Sequence, residues 1–274
     1  MGKISRGWKL TKLSLKVIKK DKEILLLPLI SGLVTILLLA SFIGGVFISI
    51  GFDAVAEGGG TILFLAGLVM FYLMSYFVSI FFNAAIIGCA TMRLEGGDPT
   101  VKDGLRIAMD NIGRIFLWAV IAATVGVIIR SLQQRVGFIG KLIMGALGIT
   151  WTLVTYFVVP VLIYEKVGPW AAMKRSAGMI RKSWGETVVG TLGLGIIFLL
   201  LALPGMLFII IGAAVGGFTG AVAGLVIAIV YWLILAMIQA AAQSVLVAAL
   251  YKYANTGEIP SGFEGVGFSS PFAS

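Results

Sequence analysis

The chain has 274 residues, of which 59% are hydrophobic and only 12% charged, with a mean hydropathy of +1.07. So little polar surface cannot cover a soluble fold of this size, which excludes an ordinary soluble globular domain. The net charge is +9 and there is no histidine, so His-based acid–base catalysis, Ser–His triads and His-ligated metal sites are excluded as well.

Residues 1–23 carry eight basic side chains on a helical period. Ile4, Trp8, Thr11, Leu15 and Ile18 recur at spacings of 4, 3, 4 and 3 and define one face. Lys9, Lys12, Lys16, Lys19 and Lys20 fall in a separate sector about 100° wide. Lys or Arg on one face with Trp and aliphatic residues on another is the pattern of an interfacial helix. Such lysines suit the anionic inner leaflet rather than nucleic acid.

Six runs then contain no Asp, Glu, Lys, Arg or His: Leu25–Gly51, Thr61–Met92, Ile115–Ile129, Leu142–Tyr164, Thr187–Gly212 and Ala221–Leu250. A helix needs roughly 20 residues to cross a hydrocarbon core of about 30 Å, and five of the six runs reach that length. The pattern predicts an all-α, polytopic membrane protein with six transmembrane helices in one domain, residues 1–254, and a flexible cytoplasmic tail, residues 255–274. The first run begins near Ile24 and exceeds the usual signal core of roughly 7–15 residues, so it is expected to remain as a signal-anchor.

Eighteen of the 21 Lys and Arg fall on one side of the implied membrane, and only Arg130, Arg135 and Lys141 on the other. The positive-inside rule then puts both termini in the cytoplasm of a cell-membrane protein.

Two further segments resemble the first. Val101, Leu105, Ala108 and Ile112 repeat the apolar spacing, with Lys102, Asp103, Arg106 and Asp110 turned to water. Trp170, Met173, Ala177, Ile180 and Trp184 do so again, with Lys174, Arg175, Arg181 and Lys182 elsewhere on the helix. Pro99 and Pro169 stand near their starts, where a missing N–H costs least. Superposing Ile18, Ile112 and Ile180 gives a unit of one elbow helix and two spans, present three times and related by an axis along the membrane normal. Any helix lying on a membrane shows this period without duplication, so both accounts stay open.

Several residues interrupt the spans. Asn83 lies well along the second, Gln239 and Gln243 along the sixth, Pro160 near the inner end of the fourth and Pro204 beyond the middle of the fifth. Asn83, Pro160, Gln239 and Gln243 could line a polar cavity, or the amides could make interhelical hydrogen bonds of roughly 0.6 kcal/mol each. The third run is short, and Ser131–Gly140 is expected to lie on the outer surface beyond it. Gly212, Gly216, Gly220 and Gly224 form consecutive GxxxG steps that suit either a close helix contact or a turn. The outer loop Phe52–Gly60 holds Asp53 and Glu57 but has no room for a folded domain.

Little else carries chemistry. No span contains a carboxylate, and Glu165 and Glu186 are explained by ion pairing beside Lys166 and Lys182. The single cysteine, Cys89, has no disulfide partner. Gly190, Gly193 and Gly195 follow no strand and make no dinucleotide fingerprint. The tail is punctuated by Phe263, Phe268 and Phe272. No metal, cofactor or catalytic residue is nominated.

Gly97-Asp98-Pro99-Thr100-Val101, Val158-Val159-Pro160-Val161-Leu162, Lys174-Arg175-Ser176-Ala177, Trp184-Gly185-Glu186 and Ala249-Leu250-Tyr251-Lys252-Tyr253-Ala254 resemble a family of six-span prokaryotic membrane proteins known only as a domain of unknown function. The layout is also similar to the membrane domain that accompanies some glycerophosphodiester phosphodiesterases. The resemblance implies the fold and brings no activity or site residues. The expectation is a non-enzymatic scaffold or accessory subunit that contacts anionic headgroups through Lys9, Lys12, Lys16, Lys19, Lys20, Lys174, Arg175, Arg181 and Lys182. The alternative is a small transporter or lipid-handling protein. Membrane lipids are the expected partners, with a protein partner or a second copy left open.

Overall fold

The computed structural model describes residues 3–50 and 61–263, without the side chains at 3–6, 47, 49, 50, 61, 182 and 186. The loop Phe52–Gly60 with Asp53 and Glu57, the aromatics Phe268 and Phe272, and the side chains of Ile4, Lys182 and Glu186 therefore lie outside the described residues. Among the described residues every regular element is helical: α1 (Lys3–Lys20), a 3-10 turn (Lys22–Leu25), α2 (Leu26–Ile50), α3 (Thr61–Leu94), α4 (Val101–Asp110), α5 (Ile112–Arg135), α6 (Phe138–Val154), α7 (Val158–Tyr164) and α8 (Pro169–Thr256).

Among the described residues, five helical stretches are long and apolar enough to cross a membrane: Lys22–Val46, Ile62–Leu94, Ile112–Arg135, Phe138–Tyr164 and Ser183–Thr256. Large apolar side chains stand outward along them, among them Ile36 at 61% exposure, Leu37 at 65% and Leu199 at 65%. A water-soluble protein does not present apolar surface on this scale, and hydrocarbon is the solvent that accepts it.

Three places break the helices just before an apolar stretch. Asp21, between α1 and the 3-10 turn, has φ −134° and ψ 89°. Asn111, between α4 and α5, has φ −117° and ψ 14°. Ser183, inside α8, has φ −117° and ψ 22°. All three side chains are buried.

The chain divides into two compact units, one of residues 1–28, 86–101 and 179–274 and the other of residues 29–85 and 102–178. In the first unit, α8 is broken a second time at Gly216 (φ −125°, ψ 17°) and Gly217 (φ 57°, ψ −136°). Residues 218–256 fold back along 184–215. The positive φ of Gly217 is the backbone that glycine alone adopts cheaply. No Cβ fits at Gly212, Gly220 or Gly224, because it would run into the carbonyl of Gly220, Gly212 or Phe208 respectively. The glycine series thus serves both purposes that its spacing allows: Gly216, with Gly217 beside it, makes the turn, and Gly212, Gly220 and Gly224 let the backbones meet.

Pro204 is accommodated in the same hairpin. It removes the N–H that would bond the carbonyl of Leu200, and neighbouring donors come from across the hairpin. Trp232 Nε1 donates to the Ala202 carbonyl at 2.9 Å, and the Tyr231 hydroxyl donates to that of Leu201. These bonds tie the two arms of the hairpin together beside the proline. α1 packs on the hairpin through small residues. A Cβ on Gly193 would stand 2.6 Å from Gly7 Cα, and one on Gly190 would meet Leu10 and Leu246 side chains at 3.1 and 3.3 Å.

In the second unit, Phe42 of α2 stacks on Phe71 of α3 with ring centroids 5.3 Å apart. Trp118 of α5 stacks on Trp151 of α6 at 5.9 Å. α5 continues through Arg130 to Arg135, so the first half of the stretch Ser131–Gly140 is the helical end of α5. Its 24 residues span about 36 Å, and the basic groups near its end are tolerated because long side chains reach the interface. Pro160 does not kink a span: it lies in the first turn of α7, after a separate turn at Thr155–Phe157, where helical N–H groups have no intrahelical partner. The Phe157 N–H left by that turn is taken by Ser176 Oγ at 3.0 Å.

Candidate functional site

The basic sector of α1 is built from its opposite face. Gly7, Leu10, Thr11, Ser14, Val17 and Ile18 are buried, while Lys12, Lys16, Lys19 and Lys20 are exposed. Trp8 is 60% exposed and Leu15 half-buried, so the inward stripe is rotated from the one traced through Trp8, Thr11, Leu15 and Ile18. The reason is packing: α1 lies so close to residues 189–193 that glycine, threonine and serine fit inward and a tryptophan does not. Lys9 is half-buried and is engaged by other groups.

The C-terminal end of α1 meets the end of α3 through Arg93. Arg93 Nη1 donates to the Gly97 carbonyl at 3.0 Å and to Asp98 Oδ1 at 2.8 Å, and Nη2 donates to the Lys20 carbonyl at 3.2 Å. One guanidinium thereby caps α1, whose last carbonyls lack intrahelical partners. It also ties down the turn after α3, where Gly96 takes φ 90°. The rest of that turn is fixed in kind. The Val101 N–H donates to Glu23 Oε2 at 3.2 Å, and the Cys89 thiol donates to the Thr100 carbonyl at 3.4 Å. The Gly97–Val101 motif is therefore a structural joint.

The C-terminal segment closes over this joint. Lys252 Nζ lies 3.8 Å from Glu95 Oε1. Beyond Thr256 the Ser261 hydroxyl donates to the Leu94 carbonyl, and Phe263 is fully buried. Between these elements is a cavity of about 320 Å³ lined by Lys16, Lys20, Arg93, Gly97, Ser261 and Gly262, among others. Beside it in sequence, Asp21 is only 6% exposed and its Oδ2 has no hydrogen-bond partner among the described residues. Burial pushes this carboxyl above its ordinary value of 3.8, with the Arg93 charge and the Glu23 N–H pulling the other way.

At the other end of α1 an apolar groove of about 550 Å³ opens between Trp8 and Trp184, floored by Gly7, Leu192, Ile196 and Leu200, among others. Trp184 is 54% exposed. Paired tryptophans at such a mouth suit the membrane–water boundary, where one end of the indole is apolar and the other wet.

Lys174, Arg175 and Arg181 are all exposed. Arg175 Nε lies 3.1 Å from Glu165 Oε1, so Glu165 pairs across the α7–α8 turn with Arg175 rather than with its neighbour Lys166. Asn83 and Pro160 belong to the second unit and Gln239 and Gln243 to the first. Asn83 and Gln243 are half-buried and engaged by other groups, Gln239 is exposed, and Pro160 is buried. The cavities described above are lined by other residues. Of the charged residues singled out in the sequence, the structure brings Lys16 and Lys20 together. Arg93 and Ser261 join them without having been singled out, since Arg93 counts in the sequence only as one more inner-side charge.

A family model, Family of unknown function (DUF6159), matches residues 62–263 of the chain. No curated protein and no solved structure matches it.

Proposed function

The chain belongs to that family of unknown function, and from this premise we propose that it is a six-span membrane protein that engages anionic lipid through α1, serving as a scaffold or accessory subunit. The observation that carries the reading is the division of α1: Lys12, Lys16, Lys19 and Lys20 are exposed on a helix whose other face is buried against its own unit. Four lysines held outward at the mouth of an apolar helix attract anionic headgroups by on the order of 1 kcal/mol each. The groove between Trp8 and Trp184 offers apolar surface next to them.

Six crossings follow if the break at Gly216–Gly217 is the outer turn between the last two. Three elbow helices, α1, α4 and residues 169–182, then lie on the inner side, each closing on one of the breaks. Aligning Asp21, Asn111 and Ser183 sets Ser14 with Gly104 and Ser176, and Ile18 with Ala108 and Ile180, all of them buried. This supports a threefold repeat, with Ala108 rather than Ile112 in the second copy. Both termini are then cytoplasmic.

Two measurements test the reading. Single cysteines in a Cys89→Ser background should label from outside at Gln134, and at Lys12 or Arg106 only after permeabilisation. External labelling at Lys12 would reverse the orientation. Full-length protein in mixed micelles should retain phosphatidylglycerol over phosphatidylcholine by native mass spectrometry. A variant with Gln at Lys12, Lys16, Lys19 and Lys20 should lose that preference. Equal retention of both lipids by the unaltered protein would end the lipid proposal.

A further inference from the structure

We propose that the cavity between the ends of α1 and α3 and the Ser261–Gly262 turn is a binding site for a phosphate monoester. The inference deepens the lipid reading, on which it rests for the exposure of Lys16 and Lys20, by naming a ligand class and a place. Three cations line the cavity: Lys16, Lys20 and Arg93. One of these charges is matched, since Arg93 is paired with Asp98 at 2.8 Å. The two lysine charges have no acidic partner among the residues that line the cavity, which favours a dianion. A phosphate monoester carries about −1.5 to −2 at pH 7 and presents three acceptor oxygens, whereas a phosphodiester carries one charge.

The frame around the cations suits such a group. Arg93 is a fixed wall, its side chain only 23% exposed and held by three hydrogen bonds that use three of its five N–H donors. Gly96 and Gly262, with φ 90° and 87°, line the cavity without a side chain to fill it. A Cβ built on either meets nothing within 4 Å. Lys16 and Lys20 are one turn apart on α1, both exposed, and so reach the same oxygens from one side while remaining open to exchange. At about 320 Å³ the volume is at the low end of small-molecule sites, roughly 300–1,000 Å³. That is room for a phosphate and a small organic substituent. Lys20 lies two residues before the apolar stretch Lys22–Val46, and Arg93 falls near the end of Ile62–Leu94. The phosphate can therefore come from a lipid headgroup at the interface or from a soluble ester.

Calorimetry on the full-length protein in neutral detergent distinguishes these sources, with dioctanoyl phosphatidic acid as the lipid probe, glycerol 3-phosphate as the soluble probe and dioctanoyl phosphatidylcholine as the control. One-to-one, saturable binding of either phosphate monoester, with none of the control, is expected. Binding of both probes marks the phosphate as the determinant, and binding of phosphatidic acid alone marks a lipid site. Lys16→Gln with Lys20→Gln should weaken binding by on the order of a hundredfold, about tenfold per charge-assisted contact. Lys12→Gln with Lys19→Gln, outside the cavity, should change it less than threefold. All four lysines are exposed, and an unchanged thermal midpoint verifies that each variant is folded. Equal losses in the two double variants would overturn the pocket while leaving the wider basic face in place. No saturable binding of either monoester would overturn it outright, whatever the retention of phosphatidylglycerol.

Discussion

Asn111 and Ser183 end two helices on nearly the same backbone, φ −117° and ψ 14° for the first and φ −117° and ψ 22° for the second. Each also bonds back to the carbonyl four residues earlier. Asn111 Nδ2 donates to Ile107 at 2.9 Å and Ser183 Oγ to Met179 at 3.0 Å. A short polar side chain thus satisfies a carbonyl near the helix end, which is how such residues compete with a continuing helix. Both side chains are buried, at 4% and 0% exposure, so water cannot take their place.

Removing that donor should therefore cost stability without unfolding the protein. Ser183→Ala and Asn111→Leu should each lower stability by roughly 1–3 kcal/mol, since each side chain also makes a second bond: Asn111 Oδ1 accepts from Arg114 Nη1 at 2.9 Å and Ser183 Oγ lies 3.3 Å from Thr187 Oγ1. Asn111→Ser, whose hydroxyl reaches the same carbonyl, should recover most of the loss. Thermal melting in detergent measures all three. No loss in either of the first two variants would mean that the break is held by packing alone.

The run lengths and helical periods of the apolar segments were legible because they depend on neighbours in sequence, and so was the glycine spacing from Gly212 to Gly224. The inward face of α1 was not. Hydrophobicity ranks Trp8 above Gly7 and Ser14, but close packing against residues 189–193 selects small residues on the inward side. Arg93 was missed because its partner, the Lys20 carbonyl, is 73 residues away and a backbone acceptor leaves no mark in sequence. The extension of α5 past Arg130 was missed because a charge near a span end reads as a boundary, although the helix can continue beneath a snorkelling side chain.

The contact between Gly7 and Gly193 gives a sharp pair of substitutions. Gly193→Ala places a methyl 2.6 Å from Gly7 Cα, and two backbones cannot yield as a side-chain tip can. Overpacking of this kind costs roughly 1–3 kcal/mol. Gly195→Ala, where a Cβ meets nothing within 4 Å, should instead gain up to about 1 kcal/mol from its better helix propensity. The fluorescence of Trp8 should shift in the first variant and stay fixed in the second.

The hairpin turn separates two adjacent glycines in the same manner. Gly217, at φ 57° and ψ −136°, is in a region closed to side chains, so Gly217→Ala should cost roughly 1–3 kcal/mol. Gly216, at φ −125° and ψ 17°, has no Cβ neighbour within 4 Å, and Gly216→Ala should be near neutral. Equal melting of the two variants would show that the turn relaxes to another backbone.

Asp21 gives the protein a pH dependence whose sign is fixed by burial. The carboxyl is 6% exposed with one oxygen lacking a hydrogen-bond partner among the described residues. Loss of hydration raises it above 3.8, and Arg93 only partly opposes that shift. Between the ordinary value and the raised one, the folded protein keeps a proton that the unfolded chain has released. In that window stability falls as pH rises. Above the raised value both states are ionised and the full cost of burying the charge is present. Below 3.8 both are protonated and the cost is gone. Asp21→Asn keeps the shape and removes the charge, so it should raise stability at neutral pH by about 1 kcal/mol, the lower end of the cost of an unsatisfied buried group. The advantage should shrink as the pH falls towards 3.8, and thermal midpoints of both proteins across that range measure it. A lower midpoint for Asp21→Asn at neutral pH would show that attraction to Arg93 outweighs desolvation.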